Sequence, residues 1–291
     1  MNTASAATET AAFAARLGDE VRPLAAASAK GRVIGVFSHA MYCAFGETVV
    51  SLYGDEYGEV PFGVALSDIL GFLAAADASV GRTVTLGADA IFFGARRVPI
   101  AVSPQPPRIA ARLCAPDGAR LERIEAYIAE HGSPRGILEC FAENRGGAAD
   151  SAKALAAALA VSDKQTAAAA ATRLLGLGRG LTPSGDDWLC GFFSLLLAAR
   201  RAGLGIPKES DAVTQAVLAA APARTSEISR AYLAAALGGK YCTVYAAAAA
   251  ACLGEGDFAP YADTALHMGA SSGTDTLCGA TAAAKMLETF V

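Results

Sequence analysis

Two segments of this chain share an order of residues suited to holding a small anion. Gly176 to Gly191 reads GLGRGLTPSGDDWLCG, and Ser271 to Gly279 reads SSGTDTLCG. From Ser184 and from Ser272 the same order recurs: Ser, Gly, any residue, Asp, any residue, Leu, Cys, Gly. Glycines such as Gly178 and Gly180 let backbone N–H groups approach a ligand without a Cβ in the way, and a helix N-terminus adds partial positive charge. Phosphate or a small carboxylate is the expected guest, and Arg179 could add a bidentate charged donor.

Three aspartates complicate that chemistry. Asp186, Asp187 and Asp275 would repel an anion unless protonated, capped or bridged by a cation. Magnesium would resolve the conflict, because it takes one or two carboxylates together with waters and phosphate oxygens; Asp187 and Asp275 are its candidate ligands. The alternative is that the aspartates turn back onto their own helices. Ser184-x-x-Asp187 and Ser272-x-x-Asp275 each fit an acidic variant of the capping box, with the serine as N-cap, and a cap of this kind contributes about 1 kcal/mol. Both alternatives stand at this point.

Other groups could join the site. His267 lies just before the second motif and offers an acid, base or donor, or a helix cap. The segment from Arg224 to Ser229 starts another helix, with Thr225 or Ser226 as its cap, and its hydroxyls could bind an anion if it meets the other two starts. Ser38 and His39, in the first part of the chain, could close a site from the opposite side or lie on an ordinary strand. Cys190 and Cys278 read as small apolar core residues rather than nucleophiles.

The elements that must position these groups change character near Pro104, Pro106 and Pro107. Residues 1–105 are predicted to form an N-terminal helix, from about Thr8 to Ala27, and a β-rich domain. There GRVIGVFSHAMYCAF, ETVVSLYG, VPFGVAL and RTVTLGADAIFFGARRVPIAV are broken by glycine and aspartate turns. These runs predict antiparallel strands closing into a small barrel or sandwich, with SDILGFLAAAD as a short helix crossing the sheet. Residues 106–291 are rich in Ala, Leu, Glu, Lys and Arg between Gly, Pro and polar caps, which is helical texture. Helices are predicted over roughly 117–131, 134–143, 149–160, 163–175, 185–203, 208–221, 225–238, 240–253, 258–268 and 273–289. The fold class is therefore α+β, a β-rich domain followed by a larger helical one.

Composition narrows the function. The 291 residues are 53% hydrophobic, enough for a large core, and the net charge is −4. An acidic balance with no broad basic surface argues against nucleic acid as a partner. The longest alanine run, Ala246 to Ala251, is far short of the roughly 20 apolar residues of a spanning helix, so no membrane role is expected. Seven cysteines, an odd number without CxxC spacing, fit neither a disulfide framework nor a zinc site, and the N-terminus does not read as a signal peptide. A cytoplasmic protein is expected.

The segments GLGRGLTPSGDDWLCG, RTSEISRAYLAAALGGKY and HMGASSGTDTLCG together resemble the signatures of the AllH family, with Arg179 standing where that family often has proline. The resemblance covers most of the helical half. It implies a subunit of the oxamate carbamoyltransferase of anaerobic allantoin breakdown, which converts oxalurate and phosphate to oxamate and carbamoyl phosphate beside AllF- and AllG-like subunits. On that reading phosphate itself attacks the carbamoyl carbon and no covalent nucleophile is needed. Gly178, Gly180, Thr182, Ser184 and Gly185 would contact oxyanion or phosphate; Ser271, Ser272 and Gly273 would form the opposing cradle; Asp186, Asp187 and Asp275 would hold magnesium or orient the substrate amide. Two other functions stay open. SGTDTLCGATAAAKM is similar to the metal-binding helix start of magnesium-dependent ADP-ribosylglycohydrolases, with Gly273 in place of one aspartate. The chain could equally be a non-catalytic assembly or regulatory subunit.

Overall fold

The computed structural model describes residues 12–104, 109 and 111–290. The chain divides into two compact units, Met1–Pro106 and Pro107–Val291.

Among the described residues of the first unit, eight strands close a barrel: β1 (Phe13–Leu17), β2 (Ala29–Val36), β3 (Ala40–Phe45), β4 (Thr48–Gly54), β5 (Gly63–Leu66), β6 (Thr83–Leu86), β7 (Ala90–Phe93) and β8 (Arg96–Val102). Around the wall they run β1–β5–β4–β3–β2–β6–β7–β8. Alternation sends Val33, Met41, Val50, Val64, Val84 and Ile91 to the core. Closure rather than a sandwich leaves no unpaired edge. Six of the eight pairings are antiparallel, whereas β1–β8 and β4–β5 are parallel.

The N-terminal helix expected from Thr8 to Ala27 is not formed over its described part. Phe13–Leu17 is β1, and only Val21–Ala26 is helical, as α1; residues 8–11 lie outside the described ones. The alanines in this stretch favour a helix locally, but β1 is the strand that joins β5 to β8, and its ladders outweigh a weak propensity. The crossing helix is α2 (Ile69–Ala76), started by Asp68, whose carboxylate accepts the Gly71 N–H at 2.8 Å. Its Phe72 enters the core edge-on to Phe13 and Phe93, with ring centroids 5.5 and 6.1 Å away.

The second unit is helical, with α3 (Gly118–His131), α4 (Ile137–Ala142), α5 (Ala148–Ala160), α6 (Lys164–Leu174), α7 (Ser184–Arg201), α8 (Ser210–Arg224), α9 (Glu227–Leu237), α10 (Thr243–Leu253), α11 (Ala259–Leu266) and α12 (Ser272–Glu288). Each predicted helix is present, within a few residues of its expected bounds. No helix among the described residues is long and apolar enough to cross a membrane. Arg120 on α3 ends α10: its Nε donates to Ala251 O and its Nη1 to Gly256 O, both at 2.7 Å, so a buried guanidinium satisfies carbonyls that a helix C-terminus leaves open.

α7 and α12 make the most extensive helix pair. Their shared motif explains why. A Cβ added at Gly191 would lie 1.9 Å from Thr276 O, and one added at Gly279 would lie 2.0 Å from Trp188 O. The backbones therefore touch reciprocally, and neither position has room for a methyl group. Gly191→Ala and Gly279→Ala are each expected to lower unfolding free energy by about 1–3 kcal/mol, more if the helices are forced apart. The control is Gly205→Ala, where the added Cβ meets nothing within 4 Å; equal denaturation midpoints for all three variants would refute the close-contact account.

Candidate functional site

The contact of α7 with α12 brings the two Ser-Gly-x-Asp starts together and crosses their side chains. The Ser184 hydroxyl of α7 faces the Asp275 carboxyl of α12, and the Ser272 hydroxyl of α12 faces the Asp187 carboxyl of α7, each near enough to favour the ionised form of the acid it faces. Thr182, just before α7, also faces Asp187, and its Oγ1 lies 3.2 Å from Ser272 Oγ.

This exchange replaces the expected capping boxes. The N-cap positions are Pro183 and Ser271, one residue earlier than predicted, and neither makes a side-chain cap bond. The helix starts instead use main-chain acceptors: Gly185 N–H donates to Leu177 O at 2.8 Å and Gly273 N–H to Met268 O at 2.9 Å. These N–H groups are thus already engaged. Gly185 and Gly273 also press on the preceding helices, with added Cβ atoms falling 2.0 Å from Leu174 O and Ala265 O.

The three aspartates have separate environments. Asp186 Oδ1 accepts the Gly176 N–H at 2.8 Å, and its Oδ2 accepts the hydroxyls of Ser229, at 2.6 Å, and Thr225. It thereby ties α7 to the glycine loop and to the start of α9. Asp275 Oδ1 accepts the Ile137 N–H at 2.7 Å, which caps α4, and its Oδ2 accepts from Ser271 Oγ at 3.2 Å. Asp187 is different: it is 6% exposed, and its Oδ2 is buried with no hydrogen-bond partner. Burial raises all three carboxyls above their ordinary range, opposed by the hydrogen bonds they accept. Asp275 is held at about 6, and Asp187, which burial and the like charges of Asp275 and Asp186 both push upward, is raised well above its usual value.

The third segment joins this cluster. Ser226 is the N-cap of α9, as expected, accepting the Ser229 N–H at 3.0 Å, and its hydroxyl donates to Leu181 O in the glycine loop. Thr225 reaches Asp186. Beyond them, Gly178, Arg179 and Gly180 form an exposed turn in which both glycines have left-handed φ, +113° and +94°. Gly178 packs over the start of α7, where an added Cβ would lie 2.8 Å from Ser184 N.

Other expected residues take different places. His267 is exposed at the C-cap of α11. Ser38 and His39 lie in the exposed turn between β2 and β3 of the barrel unit, bonded to one another at 2.9 Å, rather than on a strand. Among the described residues no group of three or more His, Cys, Asp and Glu side chains is arranged to hold a metal. Cys190 is buried and its thiol is raised well above the ordinary value by burial, and Cys278 is pushed up to about 12, so neither is set up as a nucleophile.

Sequence reasoning missed Ser229, Gly176 and Ile137. Ser229 had a signal, since it stands one helical turn after the cap Ser226. Ile137 and Gly176 act through main-chain N–H groups, which no side-chain pattern reveals. A cavity of about 840 Å³ lies among α3, α4, α5 and α12, lined by Phe141, Trp188, Cys278 and Met286 with Lys153 and Lys285. None of the expected site residues lines it.

The second unit is thus a helical domain organised around three helix starts that share a carboxylate and hydroxyl cluster. Residues 174–284 match the family model described as oxamate carbamoyltransferase subunit AllH. That range contains α7, α9 and the start of α12, so the matched residues are those that meet in the cluster. No curated protein matches the chain, and no solved structure does.

The raised carboxyls make stability pH-dependent in a defined direction. A buried acid held at about 6 against 3.8 binds its proton more tightly in the folded state, so stability is highest below pH 4 for this group and falls as pH rises through 6. For Asp275 the difference amounts to about 3 kcal/mol. Denaturation of Asp275→Asn between pH 4 and 7 should show a shallower decline than the parent; an unchanged slope would exclude Asp275 as the titrating group.

Proposed function

We propose that this chain is a subunit of an oxamate carbamoyltransferase-type enzyme and binds the small anionic substrate at the shared starts of α7, α9 and α12. The observation that carries the reading is convergence: the segments around Asp187, Thr225 and Asp275, distant in sequence and within the family match, are bonded into one cluster. The ligands are phosphate, carbamoyl phosphate, oxalurate and oxamate, and partner subunits of AllF and AllG type complete the enzyme. The reading places the protein in the cytoplasm, where these metabolites occur.

Within this reading, the exposed turn at Gly178, Arg179 and Gly180 receives the anionic end of the ligand. Its glycines leave main-chain N–H groups approachable without a Cβ in the way, and Ser184, Thr182, Ser271 and Ser272 supply hydroxyls. Gly185 and Gly273 act by letting the helix starts pack closely. Asp186 positions the loop against α9 and Asp275 positions α4, while Thr225 and Ser226 hold the loop rather than the ligand. His267, Ser38 and His39 receive no role. Attack by phosphate on a carbamoyl carbon asks for orientation and charge stabilisation, which this arrangement can provide without a covalent intermediate.

Magnesium enters only as an ion brought in with phosphate. The Asp186 and Asp275 oxygens already accept hydrogen bonds, and Asp187 contributes one spare oxygen. These residues do not make a resident octahedral site, and no step runs through a metal. Carbamoyl phosphate binding by the purified chain is therefore expected to survive EDTA; complete loss, restored by magnesium, would contradict this.

The main test is direct. The chain should bind carbamoyl phosphate by calorimetry, and Gly178→Ala, which places a methyl group against Ser184 N at a φ of +113°, should lower the melting temperature and, measured well below it, weaken that binding at least about tenfold. Tight association with a partner subunit, without binding of any of these anions, would replace this reading by that of a non-catalytic assembly subunit.

A further inference from the structure

The two crossed motifs are equivalent in sequence but not in how their carboxylates are used. Asp275 receives a main-chain N–H from Ile137 on one oxygen and Ser271 Oγ on the other. Asp187, its counterpart, faces the hydroxyls of Thr182 and Ser272, yet its Oδ2 accepts nothing. A buried carboxylate oxygen without a donor is costly, and native proteins satisfy nearly all such atoms. The charged groups felt by Asp187 are Asp275 and Asp186, both carboxyls, so an anion at Oδ2 is disfavoured, and a ligand N–H is the partner that suits the ionised carboxylate.

We propose that Asp187 is the specificity-determining residue of this site, accepting an N–H of the ligand's carbamoyl or amide group on Oδ2. This rests on the reading above that the site takes carbamoyl compounds. The ligand is then oriented with its NH2 group inward against Asp187 and its anionic end outward at the Gly178–Gly180 turn. Entry requires the Thr182 and Ser272 hydroxyls, 3.2 Å apart, to separate. Both are half-buried, and Thr182 belongs to the loop whose glycines take left-handed φ. An N–H donor in place of the missing partner gives Asp187 what Ile137 gives Asp275.

The test uses ligand pairs in which NH2 is replaced by CH3: carbamoyl phosphate against acetyl phosphate, and oxamate against pyruvate. By calorimetry on the full chain, the amide member of each pair should bind about 10- to 100-fold more tightly, the range for giving a buried acceptor the donor it lacks. Asp187→Ala should abolish that preference, with inorganic phosphate titrated into parent and variant as the reference ligand that carries no N–H group. Asp187→Asn, which keeps a carbonyl acceptor and removes a buried charge, should retain part of the preference and melt at or above the temperature of the parent. Binding of both members with equal affinity, or a preference that survives in Asp187→Ala, would overturn the role of Asp187 while leaving the anion site intact. Failure of all four compounds and phosphate to bind the parent would overturn the site itself. A melting temperature of Asp187→Asn well below the parent would show that the carboxylate serves the fold instead.

Discussion

The helical unit depends on one contact, the backbone-to-backbone approach of α7 and α12 at Gly191 and Gly279. Because the glycines face Thr276 O and Trp188 O, the two helices sit nearer to each other than ordinary side chains permit. That approach sets the positions of both N-termini. Ser184 and Ser272 can then reach across to the opposite helix instead of folding back onto their own, and the cluster of hydroxyls and carboxylates follows. Of the cysteines beside the glycines, Cys190 is buried and Cys278 lines the neighbouring cavity, and burial raises both thiols.

Around that contact the aspartates act as connectors. Asp186 holds the glycine loop and α9 to α7, and Asp275 holds α4 to α12. Each works by accepting N–H or O–H groups whose local structure leaves them open, so a buried charge is offset by donors that would themselves be costly to bury unpaired. The arrangement orders three separate segments, the glycine loop, α9 and α4, from two helix starts. It also explains why a site of this kind needs so few basic residues: the donors are main-chain and hydroxyl groups.

Much of this architecture was legible in the sequence, and the failures have specific causes. Helices such as α7 and α12 follow from apolar spacing and small or polar starts, and the strand runs around Val33, Val50 and Val98 follow from alternation and turns. β1 was missed because Phe13 to Leu17 lies in an alanine-rich stretch whose strand state comes from pairing with β5 and β8, a tertiary effect. The parallel pairings were missed for a similar reason, since local sequence carries no register. In the cluster, the correct residue types were identified but not their partners. The spacing of Ser184 and Asp187 is the same for a capping box and for a crossed pair, and only the proximity of a second helix distinguishes them. The unequal use of Asp187 and Asp275 has no sequence signal, because it depends on the main chain at Ile137.

The loop that leads into α7, residues 175–183, is four residues longer than its counterpart before α12, residues 267–271. A symmetric pair of identical chains would have to keep both copies of such a motif alike, and every change made for binding would be made twice. Joining the two copies in one chain removes that constraint. One copy can settle into the scaffold, its Asp275 held by the Ile137 N–H, while the other, with its extended loop, is free to specialise.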